Sequence, residues 1–355
     1  MEKFEPRVRE TVAARFGCPA GEIEIRPLAA HASSRAYYRV LLGAGNGPRS
    51  IALMVLLGDD RGIKSDEIVE VESGTDELPF LNVHRFLRRF TDAVPEVYHF
   101  DAEHGLMYLE DLGDRLFEHL VRDADDAERR LWYGRALDLL LTLQTEGTRR
   151  LGADCLASKA ALSETLLLWE FEHYIEYGYG TKLGRPEDAA ALETLRKSFR
   201  GIAQRLAAAP QVFTHRDYQS KNLIVQGERI RLIDFQDALR GPRTYDLVAL
   251  LRDSYVELGP ALLDCLLEDY LERAAALGAA EPPAGLKEEF ARMTLQRKLK
   301  DYGRFVYIDR VKGNPAYLGY NPANARYILD AAAKLPELGA AREILQAELS
   351  REAEL

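Results

Sequence analysis

The chain's 355 residues suffice for two lobes around a sizeable buried core, and 47% hydrophobic with 29% charged residues is an ordinary soluble composition. A net charge of −10 argues against a general nucleic-acid binder, which needs a basic field, and no apolar run approaches the ~20 residues that cross a bilayer. Three widely spaced cysteines, Cys18, Cys155 and Cys265, form neither a disulfide framework nor a zinc cluster, and the charged start from Met1 to Pro6 lacks an apolar signal region, so the expected setting is the cytoplasm, without membrane or nucleic-acid partners.

Residues 4–16 predict a short helix ended by Gly17 and Pro19. Residues 22–28, 36–42 and 50–57 predict strands separated by small-residue and Gly-Asn-Gly-Pro turns. The segment between the first two runs Ala29-Ala30-His31-Ala32-Ser33-Ser34-Arg35. It suits a plain hairpin loop, or a loop laying backbone N–H groups, the Ser33 and Ser34 hydroxyls and the Arg35 charge over phosphates. Residues 58–77 are acidic and interrupted by Gly58, Gly62 and Gly74, so a mobile loop without chemistry is expected. A helix starting at Pro79 follows, where the missing N–H costs little, and then strands at 97–100 and 106–109.

Leu109-Glu110-Asp111-Leu112-Gly113-Asp114 ends the strand-rich third, which makes 110–114 a candidate hinge between a lobe at 1–109 and a lobe at 115–355. At a hinge, Glu110 and Leu112 can offer backbone C=O and N–H groups to an adenine edge; otherwise the segment is a connector. Helices are expected at 115–122, 126–146, 160–178 and 187–208. In the third, Glu170, His173, Tyr174 and Tyr177 share a face. Acids beside aromatic rings suit a polyhydroxylated ligand, and the same stripe equally suits packing.

Chemistry concentrates in the next stretch. Apolar Val212 and Phe213 enter Thr214-His215-Arg216-Asp217-Tyr218-Gln219-Ser220-Lys221-Asn222, and two short apolar runs flank the turn Gln226-Gly227-Glu228 before Ile233-Asp234-Phe235. Asp217, Asn222 and Asp234 are thereby presented at strand ends. A phosphoryl transferase needs a carboxylate that takes the proton of the attacking hydroxyl, and an Asn and an Asp that hold Mg²⁺ against the phosphates. His215 is expected to buttress the loop. Beyond it, Thr244 and Asp246 open a helix, with Asp246 in reach of the loop as an acceptor. Further helices are expected at 260–277, 285–305, 322–334 and 337–352, the second carrying the polar run Gln296-Arg297-Lys298-Leu299-Lys300-Asp301-Tyr302, a solvated face or one end of a substrate cleft.

His215-Arg216-Asp217 to Asn222, Ile233-Asp234-Phe235, Gly241-Pro242 and Tyr245-Asp246-Leu247 together resemble the aminoglycoside phosphotransferase and choline kinase group of small-molecule kinases, and within it the bacterial cell-wall anomeric sugar kinases. The resemblance implies an α+β, two-lobed protein-kinase-like fold with a small antiparallel-sheet lobe and a large helical lobe, binding ATP and Mg²⁺. It implies Asp217 as base, Asn222 and Asp234 as metal ligands, and Ser33, Ser34, Arg35, Met54, Glu110 and Leu112 about the nucleotide. Glu170, Tyr174, Gln219, Arg297 and Asp301 would face the substrate, the C1 hydroxyl of an amino sugar. Aminoglycoside or choline acceptors, and a nucleotide-binding scaffold, are the alternatives. Met54 stands where most kinases carry a lysine for the phosphates, so Arg35 or Arg39 would have to supply that charge.

Overall fold

Alternation along three strands decides how the first third of the chain folds. In a computed structural model that describes residues 3–28, 35–43, 47–56, 77–179, 188–278 and 285–355, one antiparallel sheet contains β1 (Glu24–Pro27), β2 (Arg35–Leu41), β3 (Ser50–Leu56), β4 (Val97–Asp101) and β5 (Leu106–Glu110), in the order β1-β2-β3-β5-β4. Successive side chains of a strand point to opposite faces. Ile51, Leu53 and Val55 of β3 and Leu106 and Tyr108 of β5 therefore cluster with Val8 and Val12 of α1 (Glu5–Phe16). Met54, Met107 and Leu109 face the other way and belong to the core of the helical portion. Helix α1 stops where Gly17 turns left-handed and returns its N–H to the Ala13 carbonyl. Helix α2 (Pro79–Leu87) starts on its proline and buries Phe80, Val83, Phe86 and Leu87 in the same larger core.

After β5 the chain becomes mostly helical, as expected. The helices are α3 (Phe117–Arg122), α4 (Asp126–Thr142), α5 (Thr148–Arg150), α6 (Glu164–Tyr174) and α7 (Ala189–Ala207), then α8 (Thr244–Leu251), α9 (Pro260–Ala276), α10 (Leu286–Lys312), α11 (Asn321–Ala333) and α12 (Ala340–Ala353). The helices expected at 126–146 and 160–178 each end in a π-helical turn, Leu143–Gly147 and Ile175–Tyr179. Helix α10 runs to Lys312 rather than 305, because nothing breaks it before Gly313, whose left-handed backbone caps it. It crosses α6 at Gly303, where an added Cβ would lie 2.9 Å from the Tyr174 Cα.

Four short strands sit between α7 and α8. β7 (Leu223–Gln226) and β8 (Arg229–Leu232) form a hairpin around Gly227. β6 (Gln211–Thr214) pairs with β9 (Leu239–Pro242), a strand that sequence patterning does not suggest because Gly241-Pro242 reads as a turn. Gly241 is required by closeness: a Cβ there would stand 2.9 Å from the Thr214 hydroxyl oxygen. The result is an α+β fold of a small antiparallel sheet and a larger helical portion. No described helix is long and apolar enough to cross a membrane.

Candidate active site

The loop from β6 to β7 is tied down by two buried carboxylates. Asp246, in the first turn of α8, accepts the backbone N–H groups of His215 at 2.6 Å and Arg216 at 3.0 Å. Burial pushes its carboxyl up to about 7, against the pull of the His215 N–H, Arg297 and the Arg216 N–H. Asp253 accepts the Ser220 N–H at 2.7 Å and the Tyr255 N–H at 3.0 Å. His215 Nδ1 accepts the Asp217 N–H at 3.2 Å, so Nε2 keeps the proton and donates to the Ile233 carbonyl at 3.1 Å. Burial pulls this imidazole down to about 4, which leaves it neutral. Its place is the buttress expected of it. Arg216 takes φ +80°, a left-handed conformation, and Asp217 after it is partly exposed.

Asp217 Oδ1 lies 3.5 Å from Arg297 Nη2, while Arg297 Nη1 donates to the Arg216 carbonyl at 3.0 Å and its guanidinium stacks 4.6 Å from the Tyr245 ring centroid. The Asn222 NH₂ donates to the Asp217 carbonyl at 2.9 Å, which leaves its side-chain oxygen for another partner. Asp234, at φ +65°, accepts from Gln236 Nε2 at 2.9 Å, and the same amide reaches Asp237 at 3.2 Å. Surrounding protein, and then the charge of Asp217, push the Asp234 carboxyl up; burial does the same to Asp237, opposed by Arg216. Mutually repelling carboxylates and amide oxygens form a hard donor set suited to a divalent cation. Among the described residues no cluster of three or more His, Cys, Asp or Glu forms a protein-only metal cage.

Of the residues expected about a nucleotide, Met54 is fully buried between Tyr37 and Met107 of the neighbouring strands. Arg39 is committed elsewhere: it binds Asp111 at 2.7 and 3.0 Å and Asp114 at 2.5 and 2.8 Å. Arg35 is near enough to Asp234 and Asp237 to pull weakly against the rise in both. The Glu110 N–H is taken by the Glu96 carbonyl at 2.8 Å and its carboxylate by Arg231 at 2.6 Å, and Leu112 is buried beside it. Ser33, Ser34 and residues 57–76 lie outside the described residues.

Three residues expected to face the substrate are packed inside the protein. Glu170 and Tyr174 are both wholly buried: Gln296 donates to Glu170 at 2.5 Å, Lys300 stands 3.4 Å from it, and Tyr174 packs edge-on to Tyr302. The stripe on α6 is a packing face, because α10 covers it. Arg297 is also buried, with its guanidinium 3.5 Å from the Asp217 carboxylate. Gln219 and Asp301 are partly exposed. Asp301 pairs with Lys298 at 2.7 Å, and against burial, Lys298, Arg297 and Lys300 hold its carboxyl below the usual range. Sequence reasoning passed over Gln236, Asp237, Lys221 and Tyr255. Only Lys221 lay inside the recognised motif; Tyr255 reaches the site through the fold.

Residues 24–283 match the model of the phosphotransferase enzyme family (APH). N-acetylmuramate/N-acetylglucosamine kinase of Pseudomonas putida is 33% identical over 271 residues, 75% of this chain and 76% of that protein. The protein of the same name from Pseudomonas aeruginosa is 30% identical over 326 residues, 91% of this chain and 88% of its own length. Among solved structures, choline kinase from Cryptosporidium parvum superposes with a TM-score of 0.64 at 12% identity, covering 96% of this chain and 99% of that one. ADP-bound aminoglycoside phosphotransferase APH(2'')-Ib gives 0.57 at 15% identity, covering 96% and 98%. The loop geometry and the extent of these matches lead to one conclusion: the chain belongs to the phosphotransferase enzyme family.

Proposed function

We propose that the protein is an ATP- and Mg²⁺-dependent kinase of an amino sugar, transferring the γ-phosphoryl group to the anomeric C1 hydroxyl of N-acetylmuramate or N-acetylglucosamine in the cytoplasm. The carrying observation is the Asp217 carboxylate, directed out of a rigid loop and held 3.5 Å from a buried Arg297. Asp217 takes the C1 hydroxyl proton as that oxygen bonds to phosphorus and the bond to ADP breaks. An anomeric hydroxyl is more acidic than an ordinary alcohol, so a carboxylate is an adequate base. Asn222 and Asp234 hold Mg²⁺, which neutralises phosphate charge. Arg35 replaces the lysine absent at Met54, and 110–114 is the hinge, with the Glu110 carbonyl and Leu112 N–H toward adenine. The names of the relatives support the sugar. A cationic acceptor is less well served, since Glu170 is buried and Glu172 pairs with Arg196 at 2.9 Å.

The test is Mg²⁺-dependent ADP release across N-acetylmuramate, N-acetylglucosamine, glucosamine, galactose, choline and kanamycin. Selective turnover of an amino sugar is expected, and Asp217→Asn should lower kcat by about 10³-fold or more while nucleotide affinity holds. Turnover of choline or kanamycin alone would overturn the sugar assignment, and near-normal kcat in the variant would remove Asp217 as base.

A further inference from the structure

Lys221 differs from every other cation described around the loop. Its ammonium lies 3.6 Å from the Tyr255 ring centroid, 4.9 Å from that of Tyr320 and 6.0 Å from that of Tyr317, with the Tyr320 hydroxyl at 3.5 Å. Tyr255 meets Tyr320 edge to face at 4.8 Å, and buried Phe305 backs Tyr317 at 5.5 Å and Tyr320 at 6.2 Å. Ring faces hold an ammonium by their quadrupoles without neutralising it. Arg297 has Asp217, Lys298 has Asp301, Lys300 has Glu170 and Arg39 has Asp111; among the described residues no carboxylate pairs with Lys221.

The position of the cage fixes which reactant it meets. Ser220–Asn222 is a single tight turn, so neighbouring side chains diverge: Asn222 bonds back to the Asp217 carbonyl, and Lys221 points to Tyr255 and Tyr320, which flank α8 and α11 of the helical portion. Lys221, four residues after Asp217, sits in the turn that ends at Asn222, and Tyr255 stands within electrostatic reach of Asp217 and Asp301, so the cage lies near the base. On the kinase reading above, a cage beside the base is placed to meet the acceptor. Lys221 and its three tyrosines are each partly exposed, so rings and charge are both accessible. Ring faces suit the C–H face of a sugar, and an uncompensated ammonium suits an anion carried on it.

We propose that Lys221 binds a carboxylate on the acceptor, so that the enzyme discriminates in favour of an amino-sugar acid over its neutral counterpart. The assignment rests on the sugar-kinase reading above and names the group that selects within it. N-acetylmuramate and N-acetylglucosamine are the probes, since they share a ring and differ by an ether-linked carboxylate. The expected result is a preference for the acid in kcat/KM that shrinks about tenfold or more in Lys221→Met, through the KM of the acid, and survives in Lys221→Arg. Binding is measured separately by calorimetry without ATP. An unchanged preference in Lys221→Met, with both sugars turned over, would sink the Lys221 assignment and leave the kinase reading intact. So would an equal kcat loss on both sugars together with a raised ATP KM, which would place Lys221 on the phosphates. Lys221-dependent binding of the acid without turnover of either sugar would keep the assignment and sink the kinase reading; absence of both binding and turnover overturns both.

Discussion

His215 and Asp246 titrate in opposite senses within one loop. The folded imidazole sits near 4 against an ordinary 6.5, so between those values the unfolded chain takes up a proton that the folded chain refuses, and stability falls as pH drops. Asp246 is raised from 3.8 to about 7, so the folded chain protonates first, and its contribution falls as pH rises through that window. His215→Asn removes only the first effect. Because the two effects nearly cancel between pH 7 and pH 5, urea unfolding should show little change in wild-type stability over that range, whereas the variant should be about 2 kcal/mol more stable at pH 5 than at pH 7. Equal differences would show that His215 is protonated in the fold. Arg297 acts by position: Arg297→Lys keeps the charge but loses the fork that spans the Arg216 carbonyl and Asp217. A kcat decrease of roughly 10–100-fold with both KM values unchanged is expected from steady-state kinetics.

At the scale of elements, the crossing of α6 and α10 sets where that guanidinium stands. Gly303 lets the helices touch, with its Cβ position 3.1 Å from the His173 carbonyl oxygen and 2.9 Å from the Tyr174 Cα, both backbone and so unable to swing aside. Gly303→Ala gains about 1 kcal/mol of helix propensity but overpacks a backbone contact, with a net cost of roughly 1–2 kcal/mol in chemical denaturation. A stabilised variant would mean that the helices part freely. The same crossing shows where sequence reading stopped. Apolar alternation in β2, β3 and β5 and the spacing from His215 to Asp234 are local patterns, so the sheet, the helices and the catalytic loop were legible. Glu170 and Tyr174 show a stripe on α6, but only the path of α10 tells whether substrate or protein covers it. β9 was hidden because its pairing with β6 comes from tertiary contact, with glycine demanded by a neighbour.

Across the whole molecule, Arg231 of β8 joins segments far apart in sequence. It grips both Glu110 oxygens at 3.0 and 2.6 Å and the carbonyls of Ala93 and Val94 at 3.3 and 3.2 Å. The end of β5, the approach to β4 and the β7–β8 hairpin are thus tied at one guanidinium. Arg231→Met strands a partly buried carboxylate, at a cost of about 2–3 kcal/mol once screening of Glu110 is counted. Calorimetry should show the lower melting temperature, and kinetics a raised ATP KM, since the proposed adenine-facing carbonyl belongs to Glu110. An unchanged ATP KM would detach Glu110 from the nucleotide.

Arg216 and Asp234 are the non-glycine residues with left-handed backbone among those described, and they bracket Asp217 in the chain. Each holds a conformation that L side chains adopt at a cost of order 1 kcal/mol or more. Evolution under selection for heat resistance alone would therefore relax these two positions toward glycine early. In such a lineage, durability would rise as turnover fell, and the order in which positions drifted would trace the outline of the reaction centre without a single substrate being supplied.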